Sequence, residues 1–310
     1  MEAAALTGKI IELAKDSTVL VDEPLSNLTS FKIGGPADII VQPESIDTIV
    51  KVATFCRINK TPLSVIGNGT NLLVGDAGVR GVVMRLCGNI NQLRREGNKI
   101  TAGAGALLCD VAQFACDNRL SGFEFTYGIP GTVGGAIYMN AGAYGKEMRD
   151  VVTRSIYLDS RGNIGALEAA SHEFGYRKSC FQHLKSIILE TEFELKPGGT
   201  DEIKSLMDFY LERRKALQPH DKPSAGSVFK RPKGGFAGLM IEECGLKGCR
   251  VGDAMVSEVH AGFIVNVGNA TAEDVLALIS LIKRNVKKRF SVSLETEIRR
   301  IGERKRKYGN

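Results

Sequence analysis

The stretch YGIPGTVGGAIYMNAGAYG, residues 127–145, constrains this chain more than any other. Glycines stand at 128, 131, 134, 135, 142 and 145, a density too high for a helix or an ordinary strand. Backbone stripped of side chains can pass close to another group, and the N–H groups of glycine-rich turns form concave sites for anions. A second passage, VIGNGTNLLVGD (65–76), follows a β-rich run and carries Gly67-Asn68-Gly69. Two such loops in one lobe could cradle a pyrophosphate; a set of tight turns is the alternative reading.

Neither passage is a Rossmann fingerprint. Leu72 takes the place of the third glycine in G-x-G-x-x-G, no acidic residue follows at the required distance, and the loop does not open a helix. Gly103-Ala104-Gly105 fails in the same way at Leu108, and no Walker A sequence occurs. His172, His183, His220 and His260 show no metal-ligand spacing, and no triad can be assembled around a cysteine or Ser227. No metal site is expected.

At 310 residues the chain exceeds one ordinary hydrophobic core, so two or more lobes are expected. No apolar run reaches the roughly 18 residues of a membrane span, and the start, MEAAALTGKIIELAKDS, carries charges where a signal peptide needs an apolar core. A soluble, cytoplasmic protein is the expectation. The seven cysteines are odd in number and never spaced C-x-x-C, which reads as buried reduced thiols. Much of the net charge of +6 falls in the terminal run from Arg299 to Lys307. The mildly basic remainder suits anionic small molecules; without a nucleic-acid motif no nucleic-acid partner is expected, and no obligate protein partner is evident.

Strands are expected at 63–66, 81–86 and 99–103, and helices at 45–60 and 107–120, where apolar residues recur at helical spacing. DVVTRSIYLDSRGN and SIILETEFELK read as further strands, and Pro197-Gly198-Gly199 breaks the pattern, placing a domain boundary near residue 200. Beyond it the sequence predicts a helix over 201–217, the turn-rich QPHDKPSAGS, a short helix closed by Gly245, a strand over 261–267, and a helix opening at Thr271 with Asp274 in capping-box spacing. SVSLETEIRRI reads as the closing strand, with Val292, Leu294, Thr296 and Ile298 on one face and Ser293, Glu295, Glu297 and Arg299 on the other. The fold class is α+β.

Eight blocks stand in order between about residue 20 and residue 302: NLTSFKIGGPAD, IGNGTNLLV, YGIPGTVGGAIYMNAGAYG, FGYRKSCF, GSVFKRP, AGLMIEECGLKG, HAGFIVN and LETEIRRIG. Together they resemble the UDP-N-acetylenolpyruvoylglucosamine reductases. The resemblance implies a two-lobed FAD-binding fold of the vanillyl-alcohol-oxidase (PCMH) type over 1–200, with subdomains dividing near 62, and a smaller α+β substrate-binding domain over 201–310. It implies that Gly67, Asn68, Gly69, Thr70 and Asn71 contact the FAD diphosphate and that Gly128, Ile129, Pro130, Gly131, Gly134 and Gly135 line the rest. Neither loop holds His or Cys, so the FAD is expected to be non-covalent. The implied activity is NADPH-dependent reduction of an enolpyruvyl sugar nucleotide to UDP-N-acetylmuramate for peptidoglycan precursors. Between Phe181 and Arg213 the chain reads as one strand plus one helix, which looks like the family's shorter form, without a tyrosine-bearing loop.

The resemblance also assigns three catalytic residues. Hydride addition to the terminal enolpyruvyl carbon leaves negative charge spread into the carboxylate. Arg177, in FGYRKSCF, offers a permanently charged fork for that charge, where the plain alternative is a surface ion pair. Ser227, in GSVF, matches the proton donor to the second carbon; without the resemblance it is a turn residue. Glu297 is assigned beside Arg177, although periodicity alone cannot choose it over Glu295. Lys230, Arg231, Arg213 and Arg214 are candidate contacts for nucleotide diphosphates, with Arg231 standing where relatives often carry Asn. An oxidase on the same FAD fold and a nucleotide-binding module without catalysis are the competing readings.

Overall fold

A computed structural model of the chain describes residues 3–303, so the end of the basic run that closes at Lys307 lies outside the described residues. The described α-helices are α1 (Ala3–Leu13), α2 (Ile46–Ile58), α3 (Leu108–Asp117), α4 (Val133–Met139), α5 (Thr200–Leu217), α6 (Ala237–Glu243) and α7 (Ala272–Phe290). The chain forms two compact units, each assembled from separated stretches. The first takes the chain up to Val21, Ile39–Asn68 and Gly81–Arg214; the second takes Asp22–Asp38, Gly69–Arg80 and the chain from Lys215 onward. This division differs from a single boundary near residue 200. Ile203 and Met207 of α5 are buried in the first unit's core, which carries the break to the end of that helix, whereas Phe31, Ile33 and Leu73 are buried in the second unit's core.

A five-stranded antiparallel sheet dominates the first unit, in the order Ile164–Glu168, Val152–Leu158, Ile187–Glu194, Lys99–Gly103, Leu93–Glu96. A four-stranded sheet orders Thr18–Pro24, Pro36–Gln42, Val79–Arg85 and Leu63–Ile66, the last two parallel. The expected strands at 63–66, 81–86 and 99–103 therefore form. Helix α3 buries Leu108, Val111, Ala112 and Ala115, the spacing of one helix face. Helix α2 buries Ile49, Val52 and Cys56 and starts on Ser45, whose hydroxyl accepts from Thr48 N at 3.1 Å. Burial pushes the Cys56 thiol up to about 11; Cys116 and Cys180 are also buried, and the other four cysteines are half-buried. Between Phe181 and Arg213 stand the strand Ile187–Glu194, the two-residue strand Lys196–Pro197 and most of α5.

The glycine-rich block corrects one expectation, because Gly134 and Gly135 lie inside helix α4. Each glycine costs about 1 kcal/mol of helix propensity relative to alanine, but tertiary packing outweighs it here. Val133, Ala136 and Ile137 are buried, and a Cβ on Gly134 would lie 3.2 Å from Ala104 Cβ. Thr132 caps the start, accepting from Gly135 N at 3.5 Å, and Asn140 ends the helix in the left-handed region.

In the second unit an antiparallel sheet runs Ser224–Ser227, Phe263–Asn266, Ala254–Val256, Arg250–Val251. The SAGS of the turn-rich passage is thus a strand. Helix α7 opens on the expected capping box: Thr271 Oγ1 accepts from Asp274 N at 3.1 Å, and Asp274 Oδ2 accepts from Thr271 N at 2.9 Å. Asp76 accepts from the next two amides, Ala272 N at 2.8 Å and Glu273 N at 3.2 Å. The closing segment is not one strand. It makes a single bridge between Thr296 and Phe229, and only Arg299–Ile301 forms a strand, parallel to Leu72–Val74. Two successive partners preclude a continuous ladder, yet the alternation survives, with Leu294 and Ile298 buried. No described helix is long and apolar enough to cross a membrane.

Candidate functional site

In the first unit the two glycine passages interlock. A Cβ on Gly67 would collide with Thr132 Oγ1, Asn68 Nδ2 donates to Pro130 O at 2.9 Å, and the Cys87 thiol donates to Asn68 Oδ1 at 3.2 Å. Gly67 and Gly134 are therefore explained by protein packing, as is Gly128, whose Cβ would stand 2.9 Å from Arg214 Cδ. Gly131 and Gly135 are not: a Cβ would meet nothing nearer than 3.6 Å at the first and 3.5 Å at the second. Backbone left bare without a protein neighbour is what close approach of a cofactor requires, and this segment fits a bound FAD. Gly69, Thr70 and Asn71 belong to the second unit, where Gly69 takes φ +68° against the carbonyl of Leu28.

Arg177 sits in a two-residue turn closed by Gly175 N to Lys178 O and Lys178 N to Gly175 O, both at 3.0 Å. Its φ is +55°, left-handed for a side-chain-bearing residue. Its Nη2 donates to Gly142 O at 3.3 Å, and its guanidinium stands 5.3 Å from the Tyr176 ring centroid. Arg214, from α5, lies along Gly128. Burial pushes the Arg214 guanidinium below its usual pKa, Tyr144 opposes that shift, and the charge of Arg177 adds to it. A carboxylate or phosphate beside Arg214 would offset the cost of burying its charge. The structure thereby separates two adjacent arginines, since Arg213 is exposed. Tyr144 was missed in the sequence. It stacks on Tyr210 at 4.0 Å and donates its hydroxyl to Tyr210 O at 2.8 Å. Only its place in the glycine block signalled it.

In the second unit Ser227 ends its strand after a bulge between Ser224 and Ser227, where Gly226 takes φ +74°. An added residue in one strand re-aims the side chain that follows. Ser227 Oγ donates to Phe229 O at 3.3 Å, and a Cβ on Gly226 would lie 4.0 Å from Thr70 O. Glu297 is on the neighbouring segment: its N–H donates to Val228 O at 2.8 Å, and Asn71 Nδ2 donates to the Glu297 carbonyl at 3.5 Å. Serine, glutamate and the end of the first glycine passage are thus brought together. The two glutamates left open by periodicity are distinguished by environment. Glu295 is exposed and ion-paired with Lys230 at 3.2 Å, whereas Glu297 is half-buried. Arg231 lies over the Phe236 ring at 4.0 Å. Among the described residues no cluster of three His, Cys, Asp or Glu could hold a metal ion.

An α+β unit with a glycine-lined segment and a smaller α+β unit are the architecture of a flavin-dependent oxidoreductase, and the family models bear this out. Residues 37–167 match the model of an FAD binding domain. Residues 218–301 match that of the UDP-N-acetylenolpyruvoylglucosamine reductase C-terminal domain. The chain is 48% identical to the UDP-N-acetylenolpyruvoylglucosamine reductase of Caldanaerobacter subterraneus subsp. tengcongensis, over 97% of this chain and 100% of that protein. It is 50% identical to the enzyme of that name from Alkaliphilus oremlandii, over 92% and 94%. The crystal structure of UDP-N-acetylenolpyruvylglucosamine reductase from Thermus caldophilus matches with a TM-score of 0.78 at 38% identity, covering 92% of this chain and 98% of that one. The chain belongs to the UDP-N-acetylenolpyruvoylglucosamine reductase family and is an FAD-dependent oxidoreductase.

Proposed function

We propose that the protein reduces UDP-N-acetyl-3-O-(1-carboxyvinyl)glucosamine to UDP-N-acetylmuramate with NADPH as hydride donor, in the cytoplasm, as a step toward peptidoglycan. Non-covalent FAD, with Gly67, Asn68, Gly69, Thr70 and Asn71 at its diphosphate and Gly128, Ile129, Pro130, Gly131, Gly134 and Gly135 along the rest, would carry the electron pair between the two nucleotides. Arg177 would bind the substrate carboxylate and stabilise the charge that appears there when hydride arrives. The Ser227 hydroxyl would then protonate the second carbon, and Glu297 would support the intermediate. A lone serine is a weak acid, and it serves only toward a strongly basic carbanion within hydrogen-bond reach. Arg213, Arg214, Lys230 and Arg231 would meet diphosphate oxygens; Arg214 and Lys230 are half-buried, whereas Arg213 and Arg231 are exposed.

The observation that carries this reading is the bulge at Gly226, which presents Ser227 next to the Glu297 segment in the unit whose family model is that of the reductases. An oxidase on the same FAD fold has no need of that pair. The test is the visible spectrum of the holoprotein without oxygen. NADPH is expected to bleach the flavin bands and the enolpyruvyl sugar nucleotide to restore them with formation of UDP-N-acetylmuramate. A reduced flavin that this substrate leaves unoxidised overturns the proposal, as does a protein that cannot be reconstituted with FAD.

A further inference from the structure

We propose that Asn140 is a positioning residue: its buried side-chain amide fixes the turn that presents Arg177 to the substrate. The inference rests on the role of Arg177 given above.

Arg177 holds φ +55° at the third place of the turn Gly175–Lys178, where glycine or asparagine is the ordinary occupant. A side-chain-bearing residue stays in that region only when its surroundings over-determine it, and such residues cluster at functional sites. The determinants are visible. Gln182 Nε2 donates to the Arg177 carbonyl at 3.0 Å and to Tyr138 O at 3.1 Å; Ser179 Oγ donates to Tyr138 O at 2.8 Å. Asn140 Nδ2 donates to Gly175 O at 2.9 Å, the same carbonyl that closes the turn.

Asn140 is fully buried, and both ends of its amide are engaged, since Oδ1 accepts from Arg149 N at 3.0 Å. Two residues further on, Gly142 O accepts from Arg177 Nη2 at 3.3 Å. One three-residue stretch after α4 therefore grips the arginine twice, by the backbone of its turn and by its guanidinium. Charge stabilisation depends on a donor fork aimed before the reaction, and a displacement of about 1 Å can cost about 10²-fold in rate.

A purely structural account would look to the backbone of Asn140, which ends α4 at φ +44°. Glycine serves that conformation better than asparagine. What asparagine alone supplies is the amide, so Asn140→Gly removes the amide while easing the backbone.

The test measures the holoenzyme in stopped flow, per bound flavin, with flavin reduction by NADPH and reoxidation by the enolpyruvyl sugar nucleotide followed separately. In Asn140→Gly reduction is expected at the parent rate, reoxidation to fall about 10–10²-fold, and substrate binding to weaken by no more than it does in Arg177→Ala. In an Arg177→Ala background the same substitution is expected to add no further loss, since the two residues act as one unit. Asn140→Asp keeps the acceptor for Arg149 N but loses the donor to Gly175 O, and it carries the same expectation if the glycine variant does not retain FAD. Reoxidation at the parent rate in these variants, or an equal loss with Arg177 absent, overturns the proposal. Arg177→Ala reoxidising at the parent rate would instead overturn the role of Arg177, and it is read from a different variant.

Discussion

The turn that carries Arg177 and the strands that carry Ser227 and Glu297 hold their residues by opposite means. Arg177 depends on a handful of side-chain bonds around a left-handed residue, from Asn140, Gln182 and Ser179. Ser227 and Glu297 are held by main-chain pairing of Ser224–Ser227 with Phe263–Asn266 and of Glu297 N with Val228 O. Backbone pairing does not depend on which side chains flank it, whereas a side-chain clamp fails at one substitution. The first region is therefore expected to be sensitive to residues that never touch substrate, and the second chiefly to Ser227 and Glu297 themselves.

The largest expected effect comes from the strand-held region. Ser227→Ala is expected to leave flavin reduction by NADPH unchanged and to slow turnover by about 10²–10⁴-fold in the step that consumes the sugar nucleotide. Rapid-mixing traces of both half-reactions check it, and a Ser227→Ala enzyme slowed mainly in the NADPH step would break the assignment.

Next in size is a pair of glycines. A methyl at Gly131 meets no protein atom closer than 3.6 Å, so Gly131→Ala is expected to leave the unfolding midpoint of the apoprotein nearly unchanged while overpacking the flavin by about 1–3 kcal/mol. That corresponds to a loss of about 5-fold to about 10²-fold in FAD affinity, read by titration of the apoprotein. Gly226→Ala is expected to do the reverse, losing about 1–3 kcal/mol of stability at φ +74°. Equal behaviour of the two variants would remove the distinction between a glycine kept for a ligand and one kept for the chain.

A smaller effect concerns His172, fully buried beneath the FGYR block, with Nε2 2.8 Å from Ser155 Oγ, Nδ1 3.0 Å from Glu168 O, and its ring stacked on Phe174. Burial depresses its pKa, so the folded protein holds it neutral. The unfolded chain takes up the proton first. This contribution to stability is complete above about pH 6.5 and is lost as pH falls below it, until the folded histidine also protonates. Thermal unfolding at pH 7.5 and 5.5 is expected to show a smaller acid loss in His172→Gln than in the parent; an identical loss would exclude His172 as a source.

The smallest effect is expected at Glu295, where 76% of the side chain is exposed. Glu295→Gln is expected to change stability by less than about 1 kcal/mol and to leave turnover unchanged, while Glu297→Gln lowers it. Comparable losses in both would return the choice of glutamate to an open question.

Much of this was legible in the chain. Alternation and helical spacing located the strands at 63–66 and 99–103, helix α3, and the capping box of α7, because each is set by residues within a few positions of one another. The glycine block misled for the opposite reason. Local propensity spoke against α4, and packing on Ala104, about thirty residues away, decided for it. The closing segment reads as one strand because its alternation is real, but a sequence cannot show that its two halves pair with different partners.

The sequence by itself determined the residue types available for chemistry and, through eight ordered blocks, the family. Only the tertiary structure decided how they are used: that Glu297 and not Glu295 is sheltered, that Arg214 and not Arg213 faces the glycine segment, and that Asn140 reaches the turn of Arg177. Each of those choices depends on contacts between residues dozens to hundreds of positions apart, and burial and hydrogen bonding are properties of neighbours in space, which no local pattern encodes.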